Sequence, residues 1–321
     1  MLDVFFTVDT ETWCNGWSDL DARFPSAFGR YIHGHTRKGD YGIPLQMKIL
    51  SDHGLTGVYF VEPLFAARFG IDPLAEVVGL VMEAGHEVQL HLHTEWVDEA
   101  HSDRLPEVAG KRQHLRLFDL DDQVQLLGEG RRLLMEAGAR APNAFRAGNY
   151  GFNNDSLKAL SRLGIRFDSS YNPASVAGVA DVAPGRLLTQ PEEIEGVIEH
   201  PVTVFRDRGP GSLRNLQFTA CSFAEIRHVL DSAEQAGWQS VVIVSHSFEL
   251  LGRSKTAPDP WAVRRFERMC AYLGRHRDRF TVRGFRGLAD DVYGDQPEPL
   301  TSNPLRTAGR YAEQALRRLA R

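Results

Sequence analysis

Two histidines and a carboxylate, His91, His93 and Glu95, stand at alternate positions after the strand-like run Glu87-Val88-Gln89-Leu90. Alternation along a strand sends all three side chains to one face, whereas a strand that breaks into a helical turn after His91 brings His91 and Glu95 together. Either geometry gathers imidazole nitrogen and carboxylate oxygen, the donor mixture of a catalytic zinc site or a similar divalent site. A strand edge with solvated histidines is the plain alternative for this segment taken alone.

Other strand ends carry matching chemistry. Val4-Phe5-Phe6-Thr7-Val8 runs into Asp9-Thr10-Glu11, two carboxylates at alternate positions and hence on one side of the first strand's end. In parallel α/β folds the carboxyl end of the strands is the active face. Asp9 is costly to bury there unless it meets a cation, a metal or hydrogen-bond donors. Ala144-Phe145-Arg146 leads into Ala147-Gly148-Asn149-Tyr150-Gly151, which delivers a guanidinium to orient Asp9 and a turn whose amides can face an oxyanion. Asp168 closes another apolar run, and His246 follows the β-branched run at 241–244, an imidazole able to move a proton near neutral pH. No Gly-x-Ser-x-Gly elbow and no Gly-x-Gly-x-x-Gly loop is present, so serine-hydrolase and nucleotide chemistry have little support.

The elements that position these groups alternate. Strand-like runs lie at 4–8, 57–61, 87–91, 144–146, 164–168, 202–205, 241–245 and 280–283, and helical spacing at 44–53, 74–84, 121–137, 156–163, 223–236 and 261–276. Gly54, Gly85, Gly138, Gly164 and Gly237 sit where helices stop. This rhythm predicts a parallel sheet, and its seven or so units favour a closed barrel over an open doubly wound sheet. Long polar insertions at 13–40 and 95–120 are where function gathers in such folds, while 172–203, with four prolines, reads as a surface excursion or short hairpin. His33 and His35, in the first insertion, read as surface-loop histidines more readily than as pocket residues.

Composition excludes several classes. At 321 residues, 42% hydrophobic and 25% charged, the chain has ample core for one large barrel or two ordinary domains, and composition alone does not choose between them. A net charge of -5 gives no footprint for nucleic acid. Three scattered cysteines, Cys14, Cys221 and Cys270, form neither a disulfide framework nor a cysteine zinc site and fit a reducing compartment. The first residues read as a strand instead of a signal peptide, and no run approaches the roughly 20 apolar residues of a membrane span. The tail carries Arg306, Arg310, Arg317, Arg318 and Arg321 against Glu313 with apolar residues between them, a helix docked on the domain or lying on an anionic membrane.

The ordered set of strand-end residues resembles the polysaccharide deacetylase family, the NodB-homology carbohydrate esterases, over about residues 2–290. Thr7-Val8-Asp9-Thr10-Glu11 is similar to the family's Thr-Phe-Asp-Asp-Gly motif, with Asp9 on the general base, Thr10 in place of the usual metal-binding aspartate, and Glu11 able to substitute as ligand. The segment from Gly85 to Glu95 resembles the His-Ser/Thr-x-x-His motif, with His91 on the first ligand and His93 or Glu95 as the second. The 145–151 segment resembles the arginine motif, with Arg146 contacting the base and Asn149 or Tyr150 supplying the oxyanion amide. Asp168 falls on a fourth motif, positioning Arg146 or His246, and His246 falls on the general acid. The resemblance implies an α/β distorted (β/α) barrel of about seven parallel strands over 1–295, followed by a basic amphipathic tail helix over 296–321. It implies a divalent metal, most often zinc, an N-acetylated sugar substrate and no nucleic acid. A cytoplasmic location follows, free or held at the membrane through the tail. A cyclic amide hydrolase of the allantoinase-like branch, or an inactive glycan-binding barrel, is the alternative.

Overall fold

Near-continuous β-branched and aromatic runs form strands buried on both faces, as parallel strands under helices must be. The computed structural model describes residues 1–175, 179–209, 211–292 and 294–319. The main sheet contains β1 (Leu2–Thr10), β2 (Val58–Val61), β3 (Glu87–Leu92), β4 (Ala144–Ala147) and β5 (Phe167–Asp168). It continues with β6 (Glu192–Ile194), β7 (Val197–Glu199), β8 (Ser240–His246) and β9 (Phe280–Val282). Seven strands run parallel in the order β8-β1-β2-β3-β4-β5-β7. Strand β9 lies parallel beside the start of β1, and β6 is an antiparallel edge on β7.

The sheet curls into the expected distorted barrel, but its closure is irregular. Among the described residues no ladder joins β7 to β8. The chain from 203 to 218 fills that seam instead: Val242 N donates to Thr203 Oγ1 at 2.9 Å, Val244 N to Leu216 O at 3.0 Å, and Phe218 N to Val244 O at 2.7 Å. One strand position therefore differs from expectation. The segment expected as a surface excursion or short hairpin does form a hairpin, Glu192–Ile194 with Val197–Glu199, but its second strand also enters the barrel, and Pro201, which lacks an N–H, stops the pairing just beyond it. Residues Val204–Arg206 join Leu213–Asn215 and Leu300–Thr301 in a separate small sheet.

Helices α1 (Leu20–Phe28), α2 (Ile43–Asp52), α3 (Asp72–Glu83), α4 (Leu120–Glu136), α5 (Asn154–Arg162), α6 (Phe223–Gln235) and α7 (Pro260–Arg275) accompany the sheet. Helix α5 starts on a capping box between Asn153 and Ser156 and α6 on one between Ser222 and Glu225. Gly85 ends the turn after α3 at φ 77°, a left-handed conformation that lets the chain reverse directly into β3. Phe5, Phe60, Phe167, Val242 and Phe285 belong to one apolar cluster. Along β1, Phe5, Thr7 and Asp9 share a face, and along β4 so do Ala144 and Arg146. Each strand thus passes from apolar plug to polar mouth on the same side.

The tail helix α8 (Pro304–Leu319) packs back on the domain through its charged face. Arg310 is buried and donates to Glu225 Oε1 at 3.0 Å and Asp207 Oδ2 at 2.7 Å. Glu313 pairs with Arg265, and Arg317 with Asp259. Leu305, Tyr311 and Leu316 remain on the outside. Arg321 lies outside the described residues. Among the described residues no helix is long and apolar enough to cross a membrane.

Candidate active site

Parallel register sets the functional residues side by side. Asp9 pairs with His246 across β1 and β8, and His91 with Arg146 across β3 and β4. Asp9, Glu11, Trp13, His91, His93, Asn149, Tyr150 and His246 line one cavity of about 260 Å³ at the carboxyl end of the sheet.

Glu11, His91 and His93 present donor atoms within 4.8 Å of one another, all buried. Glu11 Oε2 lies 2.5 Å from His93 Nε2 and 3.9 Å from His91 Nε2. His91 Nδ1 sits 2.7 Å from the Arg146 carbonyl, which only accepts, so Nδ1 carries the hydrogen and the Nε2 lone pair is turned toward the cluster. The His93 ring is flanked on its other side by Glu95, whose Oε2 is 3.4 Å from Nδ1. Glu95 therefore stands behind His93, outside the ligand cluster. The chain leaves the strand after Leu92 for a tight helical turn over Thr94–Glu99, which swings Glu95 off the face that His91 and His93 share. Burial disfavours the charged His93 ring, yet the carboxylates of Glu11 and Glu95 raise its pKa well above 6.5. Against its own burial, Glu11 is held well below 4.5 by His93 and His91. These three residues fit a divalent ion of the zinc class in donor type, spacing and orientation.

Arg146, fully buried, binds Asp9 Oδ1 at 2.7 Å and Thr7 Oγ1 at 2.8 Å through one nitrogen, and Ser169 O at 2.9 Å and Ser169 Oγ at 3.0 Å through the others. Its guanidinium lies 4.5 Å from the Phe60 ring centroid. Asp168 does not take the expected place beside Arg146 or His246. The β4–β5 register sets Asp168 opposite Phe145, one residue short of Arg146, so Ser169 holds the arginine. Asp168 Oδ1 accepts from Ser170 Oγ at 2.6 Å, and Ser170 Oγ accepts from Ala147 N at 2.9 Å. Asp168 and Glu199 face each other in the interior, and burial raises both carboxyls.

After Gly148 the chain takes two consecutive left-handed residues, Asn149 at φ 53° and Tyr150 at φ 56°, an unusual backbone that aims the turn at the cavity. A Cβ on Gly148 would stand 2.6 Å from Leu92 O and 2.8 Å from His93 Nδ1, so only glycine admits the ring. Asn149 Nδ2 reaches Glu95 Oε1 at 3.3 Å. Across the cavity His246 Nδ1 meets Glu249 Oε1 at 3.0 Å, and Glu249 is itself fixed by Gln217 and Ser245. Burial opposes the His246 charge, but Glu249, Glu11 and Asp9 raise its pKa to about 9.

Sequence reading missed Glu62, Glu249 and Ser169. Glu62 follows β2 directly, the same strand-end signal used for Asp9; its carboxyl receives Leu64 N at 2.5 Å and the His93 amide, and burial pushes it up to about 8. Glu249 carried a signal too, three residues from His246. His33 and His35 stack on each other at 4.9 Å and pair with Glu76 and Asp40, apart from the cluster.

No protein-family model matches the chain, and no curated protein does. Among solved structures, a protein from Mycobacterium smegmatis assigned as a polysaccharide deacetylase is similar over 89% of this chain and 88% of its own, at a TM-score of 0.56 and 18% identity. A GH57-type branching enzyme from Pyrococcus horikoshii is similar over 94% of this chain and 72% of its own, at 0.54 and 12%. A family 4 carbohydrate esterase from Streptomyces lividans covers 86% and is covered over 89%, at 0.43 and 12%. A curled parallel barrel of this kind hosts more than one reaction, so chemistry must be argued from the site. The chain has the distorted (β/α) barrel fold found in the polysaccharide deacetylases.

Proposed function

We propose that this protein is a metal-dependent amidohydrolase that removes the N-acetyl group from an amino sugar. One observation carries the reading: a three-donor cluster, an arginine-held carboxylate and a carboxylate-backed histidine line a single cavity at the active end of a deacetylase-type barrel. Glu11, His91 and His93 would hold a divalent ion, with zinc as the best match to the donors, and such an ion supplies Lewis-acid polarisation and an acidified water. Asp9, oriented by Arg146, takes the proton of the attacking water as its oxygen bonds to the acetamide carbon. The turn at Asn149 and Tyr150 faces the developing oxyanion. Breaking the C–N bond leaves an amine, which His246 protonates. Glu95 and Glu62 orient His93, and Trp13, 4.8 Å from the His93 ring, offers an aromatic wall for the sugar. The M. smegmatis neighbour, by its assignment, supports this choice over glycosidic chemistry.

Acetate release from acetamido-sugar donors by the zinc-loaded chain tests the proposal. Asp9→Ala and His91→Ala should each lower kcat/KM by at least about a hundredfold. Full activity in both variants would sink it.

The outer face of α8 supports peripheral contact with an anionic lipid surface. Leu305, Tyr311 and Leu316 are exposed, Arg306 lies beside them, and the exposed Trp261 of α7 shares a cavity with Arg317 near the helix end. Sedimentation with phosphatidylglycerol vesicles should carry the protein down, and Leu305→Glu with Leu316→Glu should leave it in solution.

A further inference from the structure

Outward from the cavity residue His246 stand two aromatic rings and an ammonium that the deacetylation chemistry does not use. The Phe248 ring stacks on His246 at 5.4 Å between centroids, and Tyr31 meets Phe248 edge-on at 5.2 Å. Lys255 Nζ lies 4.5 Å from the Phe248 centroid and 5.4 Å from that of Tyr31. The ammonium is therefore within about 10 Å of the imidazole, the reach of a sugar ring and one substituent.

Lys255 is held there at some cost. Its backbone is left-handed at φ 55°, rare for a residue with a side chain, and the loop is pinned by Lys255 N to Gly252 O at 2.8 Å and Gly252 N to Ala257 O at 2.8 Å. Among the described residues no carboxylate pairs with Lys255, and none pairs with Arg30. Arg30 precedes Tyr31 in the first insertion and is half-buried. Burial lowers the Lys255 pKa first, repulsion from Arg30 lowers it further, and the Glu11 carboxylate is felt in the opposite sense. A partly buried ammonium with a second cation near it and no paired carboxylate is unfavourable in the empty protein and favourable once an anion sits beside it. The aromatic floor under Lys255 suits the face of a sugar ring.

We propose that Lys255, above Phe248 and Tyr31 and with Arg30 nearby, forms an anion subsite that selects amino sugars carrying an oxyanion, a phosphate or a carboxylate, within one ring of the acetamido group. This rests on the deacetylase reading for the turnover it predicts, although binding alone also tests it. A phosphate on the anomeric oxygen and an acidic side group on the ring share the required chemistry and differ in where the charge is placed.

The test compares acetate release by the zinc-loaded full chain from N-acetylglucosamine 1-phosphate, N-acetylmuramic acid and the neutral methyl glycoside of N-acetylglucosamine. At least one anionic donor should exceed the neutral one in kcat/KM by about tenfold or more, carried mainly by KM, as charge-assisted contacts to a bound anion predict. The anionic donor that is preferred identifies the source of the charge. Lys255→Met and Arg30→Gln should each bring the anionic-to-neutral ratio toward one, and raised salt should do the same in the unaltered protein. A ratio near one in the unaltered protein, or one that neither substitution changes, overturns the subsite. Calorimetric binding of N-acetylglucosamine 1-phosphate decides the matter if no donor is hydrolysed: binding weakened about tenfold by Lys255→Met upholds the subsite while the hydrolase reading fails, and equal binding by both proteins overturns it.

Discussion

Metal binding at Glu11, His91 and His93 must compete with a proton. In the metal-free protein both nitrogens of His93 face carboxylates, Glu11 at 2.5 Å and Glu95 at 3.4 Å, and these raise its pKa well above 6.5 against the effect of burial. A metal needs the Nε2 lone pair, so each ion bound expels a proton wherever His93 is otherwise protonated. Glu11, held well below 4.5, stays ionised through the same window and contributes no slope. From pH 5.5 toward neutrality the zinc association constant should therefore rise by up to about tenfold per unit, the limit for one displaced proton, or about 1.4 kcal/mol per unit. Chelator competition at a pH series measures the slope, and calorimetry in two buffers of different ionisation enthalpy counts the proton. The stability of the metal-free chain should move oppositely. A raised histidine stabilises fully below 6.5 and loses that contribution as pH rises through its folded pKa, while the lowered Glu11 stabilises above 4.5 and loses it toward acid. A zinc affinity constant within about twofold over this range, with no proton released, would refute a protonated His93 between two carboxylates.

Further outcomes follow from the same geometry. Gly148→Ala should displace the His93 ring and weaken zinc binding by about tenfold or more with the circular dichroism spectrum retained; unchanged affinity would mean the turn does not seat the ring. Arg146→Met leaves Asp9 buried without its partner and should cost about 3–5 kcal/mol in urea unfolding, and a loss below about 1 kcal/mol would show that Asp9 reaches solvent. Glu249→Gln removes the first contact that raises His246 from 6.5 to about 9. Activity that depends on the imidazolium falls as pH rises through the pKa that His246 holds in the zinc-loaded protein, so the substitution should move the alkaline fall of the rate profile down by about one unit, and an unmoved limb would remove His246 as proton donor.

Much of this was legible because parallel strands announce themselves as apolar runs, and the residue ending each run has nowhere to go but the common mouth. Asp9, His91, Arg146 and His246 converge for that reason. What sequence could not settle is where a strand stops. Alternation through 91, 93 and 95 assumes a strand that persists, and the turn over Thr94–Glu99 breaks it, so Glu95 ends behind His93. Register is hidden in the same way, and it sets Asp168 opposite Phe145, so that Ser169 takes the role expected of Asp168. Strand β7 was hidden among prolines, because three apolar-rich residues next to a turn are too few to carry a period.

The charges around the cavity connect these observations. Asp9, Glu11, Glu95 and Glu249 crowd a space where, among the described residues, Arg146 is the only permanent cation in direct contact, bound to Asp9. The two imidazoles that rise, His93 and His246, both supply positive charge to that imbalance. A pKa of about 9 makes His246 a strong holder of its proton and a poor donor, yet part of the rise comes from Glu11, which is also a candidate metal ligand. Placing a divalent cation against Glu11 cancels that share, so the His246 pKa should fall toward neutrality, where donation to a leaving amine is most effective. Titrating the imidazole by NMR in the metal-free and zinc-loaded protein measures the change. A downward displacement ties the cluster and the acid into one unit, and coincident curves would show that Glu11 has no hold on His246.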